Sequence, residues 1–224
     1  MAIVIRGATD STADVDGTTF NALRVTGRPV NYGSFGSYSL GTSSGTMAAT
    51  LAANSEIFQF RWPDSTNLAL VRRVDISAGA LVGANAAALI GFRMIAARAW
   101  TTAGSGGARP VLTDNNCKLR GNTGTSLVND VGISTTTGLT AGTKTLDAAG
   151  LAAVSIGIGT ANVNTMISNS FLANTALFDA THTISPLILA QNEGFVLRSD
   201  ANAFPITMTW GFSVNVVWAE VGVF

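Results

Sequence analysis

Between Met208 and Trp218 the chain alternates without a break. Met208, Trp210, Phe212, Val214, Val216 and Trp218 fall on one side, and Thr207, Thr209, Gly211, Ser213 and Asn215 on the other. Successive side chains on a strand point to opposite faces, so this pattern predicts a strand with one face set aside for a core. The same period runs through SEIFQFRW (55–62), where Phe58, Phe60 and Trp62 oppose Gln59 and Arg61. Pro63 and Asp64 end it, because proline has no N–H to give to a central ladder. Over 67–77, Leu68, Leu70, Val74 and Ile76 share a side. Arg72 has their parity, which puts it at a bulge or at the sheet rim. Residues 84–101 have the length and alanine content of a helix. Within them Phe92, Met94, Ala96, Arg98 and Trp100 alternate and Gly91 interrupts, so the pattern predicts a strand over 89–101.

Other stretches are less regular. Residues 102–110 (TAGSGGARP) and 114–126 (DNNCKLRGNTGTS) read as loops, being dense in turn residues. Residues 134–165 predict short strands and long loops, and 165–179 suit a strand or a short helix. ISPLILAQNEGFVLRSD predicts a strand over 184–190, a tight turn at Gln191–Gly194 and a strand over 195–199. Gly194 is available for the positive φ that such a turn often needs. Closely spaced strands without helices between them give an all-β fold, an antiparallel β-sandwich or barrel, over 46–224. Residues 1–45 hold small apolar clusters separated by Gly, Ser, Thr and Asp. They read as an extended N-terminal arm or short hairpins, anchored by residues such as Ile3, Ile5, Tyr32, Phe35, Tyr38 and Leu40.

Composition changes this picture in one respect. Charged residues make up only 12%, about half the usual share, so Thr, Ser, Asn, Gly and Ala must cover much of the surface. Such a surface suits a molecule buried against neighbours better than a free monomer. Thirteen basic and thirteen acidic residues cancel, which argues against binding nucleic acid. Eleven of the cations are Arg, which is enriched at interfaces where Lys is depleted, although a GC-rich genome favours Arg as well. No stretch approaches the roughly twenty apolar residues of a membrane span, and the N-terminal apolar run is too short for a signal peptide. The expectation is synthesis in a cytoplasm with no membrane partner.

Chemistry has few places to go. Cys117 is alone, which excludes an intrachain disulfide. His182 is the one histidine, with Asp179 three residues before it, but no recognisable nucleophile context accompanies them. Asp10, Asp14 and Asp16 have some character of an oxygen-ligand loop, yet turn capping accounts for them more simply. GLTAGTKT (138–145) resembles a phosphate loop but has one residue too few between its glycines, and Thr143 stands before Lys144. GIGTAN (157–162) lacks the third glycine of a dinucleotide fingerprint. Trp62, Trp100, Trp210 and Trp218 are candidates for stacking on sugars, though each lies on a strand pattern that points to a core. The expectation is no catalytic, cofactor-binding or metal-ligating residue, and no enzyme.

VDGTTFNALRV (15–25), MAATLAANSEIFQFRW (47–62), PLILAQNEGFVLR (186–198) and WGFSVNVVWAEV (210–221) together resemble a group of tailed-bacteriophage structural proteins. These motifs are structural, and no catalytic residue comes with them. The resemblance implies a virion component made in the host cytoplasm. It would be a jelly-roll capsid decoration (cement) protein, homo-oligomeric with a trimer favoured, in contact with the major capsid protein or other virion subunits. A head fibre or a tail accessory protein would also fit the resemblance. The alternative expectation is an accessory or adhesin module that binds host-surface carbohydrate, for which glycan binding lost on replacing an exposed aromatic such as Tyr38 would speak.

Overall fold

The computed structural model describes residues 15–16, 22–23, 36–47, 51–82, 88–119, 124–158, 170–183, 185–204 and 209–222. The chain divides into two compact units, Met1–Asn31 with Phe224, and Tyr32–Val223. In the first, β1 (Val15–Asp16) pairs antiparallel with β2 (Ala22–Leu23). The Asp10 and Asp14 candidates lie outside the described residues, and of Asp16 only the backbone is described.

The second unit is built almost wholly of strands. They are β3 (Gly36–Ser43), β4 (Glu56–Trp62), β5 (Leu68–Val82), β6 (Ala88–Thr102), β7 (Asp130–Ile133), β8 (Thr143–Leu146) and β9 (Ala152–Ile158). After them come β10 (Ser170–Asp179), a single helical turn α1 (Ala180–Thr183), β11 (Leu187–Leu189), β12 (Glu193–Ser199) and β13 (Thr209–Val221). Sheet I has the order β10-β5-β13-β3, with β11 also on β5. Sheet II has the order β7-β4-β12-β6-β8, with β9 also on β6.

Eight of these strands pair like a cord folded in half: β3 with β13, β4 with β12, β5 with β10, and β6 with β9. The β13–β5 and β12–β6 ladders then join those pairs into two antiparallel four-stranded layers. Rolling a doubled chain in this way is jelly-roll connectivity, the type of sandwich that the resemblance implies. Strand β6 settles the helix–strand ambiguity of 84–101 in favour of the strand.

The alternation in β13 serves the core between the sheets. Trp210, Phe212, Val214, Val216 and Trp218 are all buried. Trp218 stacks on Tyr38 at 5.4 Å and meets Phe60 edge-on at 5.4 Å, and Phe60 stacks on Phe195 at 5.2 Å. Trp210 stacks on Phe204 at 4.3 Å and packs against Phe92 at 5.9 Å. Eight residues of extended chain place the two tryptophans about 26 Å apart. Each seeds an aromatic cluster at one end of the sandwich, where large rings give the most burial per residue.

Elsewhere bulges redirect the alternation. Val217 pairs with Arg73 and Trp218 with Val71, so Arg72 is the extra residue of a β-bulge. Val71, Val74 and Ile76 therefore enter the core, while Leu70 joins Ala219 and Val221 in a separate small cluster. Leu68 and Leu70 do not share a face with Val74 and Ile76 as the pattern predicts. In β4, Leu197 pairs with Phe58 and Arg198 with Glu56, which leaves Ile57 as the extra residue. Ala99, at φ 48°, resets β6, and Trp100 packs with Ile95, Ala97 and Val196 on the outer side of sheet II.

Two further expectations change. Residues 36–43, assigned from sequence to the arm, form β3 of sheet I, with Tyr38 and Leu40 in the core. Their alternation is real, but its outward positions are Ser and Gly, which read as linker. The strand–turn–strand expected over 184–199 forms, but β11 belongs to sheet I and β12 to sheet II, so the turn crosses between layers. Asn192 holds the left-handed position there, at φ 60°. Gly194 instead allows close approach, because a Cβ would lie 2.9 Å from the Trp100 ring and closer still to the Phe60 carbonyl.

Candidate functional site

The two sheets present contrasting exteriors. On sheet I the outward residues of β5, β13 and β3 line up in rows across the ladders: Ser77, Ser213 and Ser43; Asp75, Asn215 and Gly41; Arg73, Val217 and Ser39. Rows follow one another about every 6.8 Å and strands about every 4.8 Å, so the surface is a shallow lattice of small groups. Ser43, Gly41 and Asn215 are exposed and Ser213 is half-buried. The Asn215 amide lies over Gly41, where a Cβ would come within 2.9 Å of its oxygen. The charges in these rows neutralise each other, since Arg73 Nε donates to both Asp75 oxygens at 2.8 and 2.9 Å.

Sheet II carries most of the charge. Arg61 reaches Asp130 at 3.2 Å, and Arg109 reaches the same carboxylate at 3.3 Å. Arg98 bridges Asp147 and Glu193 at 3.1 and 2.8 Å, and Arg93 meets Asp200 at 3.1 Å. Arg61 also donates from Nε to the Trp100 carbonyl and from Nη2 to Asn192. These four arginines, of the type that composition suggests for interfaces, are thus committed within the subunit. Such half-exposed pairs are worth about 0–1 kcal/mol each; they fix loops more than they add stability.

Beneath those loops lies a polar cluster that sequence reasoning missed. The Glu56 and Gln59 side chains are 6% and 1% exposed. Lys144, from β8, inserts its ammonium 2.8 Å from Glu56 Oε2, with its side chain 2% exposed, and stands 4.4 Å from the Trp100 ring centre. Gln59 Nε2 donates to the same Oε2 at 2.6 Å and to the Thr140 carbonyl at 2.7 Å. Burial holds the Lys144 amine below its ordinary pKa, although Glu56 opposes that shift. The Ile57 bulge is what takes Glu56 out of the Phe58 parity. A polar residue at the start of a strong alternation, and one of two lysines in the chain, were the available signals.

A second buried carboxylate, Glu220, ties β13 to the 124–128 loop. It accepts from Ser126 Oγ at 2.6 Å, Leu127 N at 3.0 Å and Trp218 Nε1 at 3.1 Å. Burial pushes its pKa up despite these donors. Tyr38, beside it, is pushed up to about 12 by burial and then by the Glu220 charge.

The sequence candidates are dispersed. His182 sits on α1 with its side chain 84% exposed, 3.8 Å from Asp179. Asp179 accepts from the Thr181 N–H and hydroxyl, which is local turn capping. The 138–145 segment turns Lys144 inward to Glu56, the reverse of a phosphate cradle. All four tryptophans and Tyr38 have no exposed surface, which removes the aromatic groups proposed to meet a glycan. Among the described residues no group of three or more His, Cys, Asp or Glu is placed to hold a metal ion, and no helix is long and apolar enough to cross a membrane. Comparison with protein-family models returned no match, and comparison with curated proteins returned none.

Proposed function

We propose that this protein is a structural subunit of a bacteriophage virion, a capsid decoration protein that packs the sheet I exterior against a neighbour. The reading rests on the in-register rows of Ser, Gly and Asn across β5, β13 and β3. Most side chains on this surface are short, and its Arg73–Asp75 pair is already neutralised within the subunit, so a second surface can approach closely with little side-chain entropy lost and little net charge to desolvate. Around a rotation axis, identical small groups meet without repulsion, and a trimer is the favoured assembly. The jelly-roll body and the resemblance of its strands to phage structural proteins support the same assignment.

Light scattering of the purified protein is expected to give a stable oligomer, and mass spectrometry of purified particles many copies per virion. Asn215→Arg puts a long cation at the middle of the rows, on an exposed position that the core does not use. It is expected to give a folded monomer with unchanged circular dichroism. A wild-type monomer at micromolar concentration, or a variant that assembles as the wild type does, would refute the assignment of this face.

A further inference from the structure

The buried Glu56–Gln59–Lys144 cluster has an arrangement that ion pairing alone does not explain. One carboxylate oxygen, Glu56 Oε2, holds both the Lys144 amine at 2.8 Å and the Gln59 amide nitrogen at 2.6 Å. The amide orientation is fixed, because its two neighbours, Glu56 and the Thr140 carbonyl, are both acceptors and require the NH2. That leaves Gln59 Oε1 buried with no hydrogen-bond partner, a costly state for a polar atom. Gly104 closes the other side, where a Cβ would fall 2.5 Å from Oε1. An amine, a carboxamide and a carboxylate thus share a buried site walled by Trp100.

We propose that Lys144 and Gln59 join in an intramolecular isopeptide bond, with Glu56 carrying the proton from the amine to the departing nitrogen. Glu56 takes a proton from the Lys144 ammonium, and the freed lone pair attacks Gln59 Cδ, pushing the carbonyl electrons onto Oε1. Glu56 then delivers its proton to Nε2. The carbonyl reforms, the Cδ–Nε2 bond breaks, and one of the two protons on the new amide nitrogen passes to the released ammonia, the other staying as the amide N–H. Lys–NH3+ and Gln–CONH2 become one secondary amide and NH4+, with no oxidant, cofactor or second substrate. Glu56 lies within general acid–base reach of both nitrogens, and burial, by lowering the Lys144 pKa, favours the nucleophilic form. Holding the groups together replaces a bimolecular step with an intramolecular one. The bond would fasten β4 to β8 across the outside of sheet II, and it does not depend on the assembly reading.

Intact-mass measurement of the denatured full-length protein is expected to fall about 17 Da, one ammonia, below the sequence mass. A protease digest is expected to contain a branched peptide joining Gln59 to Lys144. Gln59→Leu keeps the Glu56–Lys144 pair and is expected to fold, by circular dichroism, at full mass. Glu56→Gln is expected to slow bond formation about a hundredfold or more. A wild-type protein at full mass, with the Gln59 and Lys144 peptides recovered separately, would overturn the proposal. So would a deficit that maps to an asparagine or persists in Gln59→Leu. A Glu56→Gln protein cross-linked at the wild-type rate would overturn the role given to Glu56; if that variant does not fold, the Gln59→Leu comparison still decides.

Discussion

Glu220 offers a test in which two substitutions, to Ala and to Gln, should have different consequences. Its carboxylate is 1% exposed and is faced by three donors: the Ser126 hydroxyl, the Leu127 N–H and the Trp218 indole N–H. Glu220→Ala strands all three. Each orphaned buried donor costs about 1–3 kcal/mol, so a loss of about 3 kcal/mol or more is expected even after partial relaxation. Glu220→Gln keeps an oxygen where Oε1 accepts from Ser126 and Trp218, and removes a charge that burial disfavours. Its pH dependence then follows from linkage. The folded-state pKa stands above the ordinary value of 4.5, so between 4.5 and the folded value the native state binds more protons than the unfolded chain. Stability from this group is fully present below 4.5 and is lost as pH rises through the folded pKa. Each tenfold difference in proton affinity is worth about 1.4 kcal/mol. Urea titrations from pH 4 to pH 8 are expected to show Glu220→Gln gaining on the wild type as pH rises, then levelling off. A Glu220→Gln deficit that grows with pH would mean the carboxylate is stabilised by a positive charge, and the argument would fail.

Gly194→Ala puts a methyl into the Trp100 ring and the Phe60 carbonyl, which forces β4 and β12 apart. The expected cost is about 3 kcal/mol, read in a thermal melt as a Tm loss on the order of 10 °C. Cys117, half-buried in a turn, has its thiol pKa raised by burial alone. Alkylation by iodoacetamide at neutral pH is therefore expected to be slower than for a free thiol and to reach the free-thiol rate in denaturant. Modification at the free-thiol rate in the native protein would contradict that burial.

The sequence made the body legible where one alternation ran undisturbed, as in β13, or where aromatic residues outweighed alanine, as in β6. It misled wherever a single inserted residue changed the parity. Arg72, Ile57 and Ala99 each swap which neighbours face the core, and a period-two reading has no means of registering a bulge before the partner strand is known. Strand β3 was hidden differently: its outward positions are Ser and Gly, and its inward pair Tyr38 and Leu40 was read as an anchor for an arm. The Lys144 cluster joins residues 88 positions apart, so only the order of strands in sheet II brings them together. The small-residue exterior of sheet I was half visible, since β13 supplied one row member at a time and the ladders with β5 and β3 supplied the rest.

The placement of β13 between β5 and β3 has a consequence for biogenesis. It is the last described strand in chain order, yet it fills the middle of its sheet. While a ribosome is still extending the chain, β3 and β5 each wait with an edge bare, and sheet I stays open until β13 emerges and slots between them. A prematurely terminated product would keep that slot open, a template for strands from other chains and a handle for chaperones.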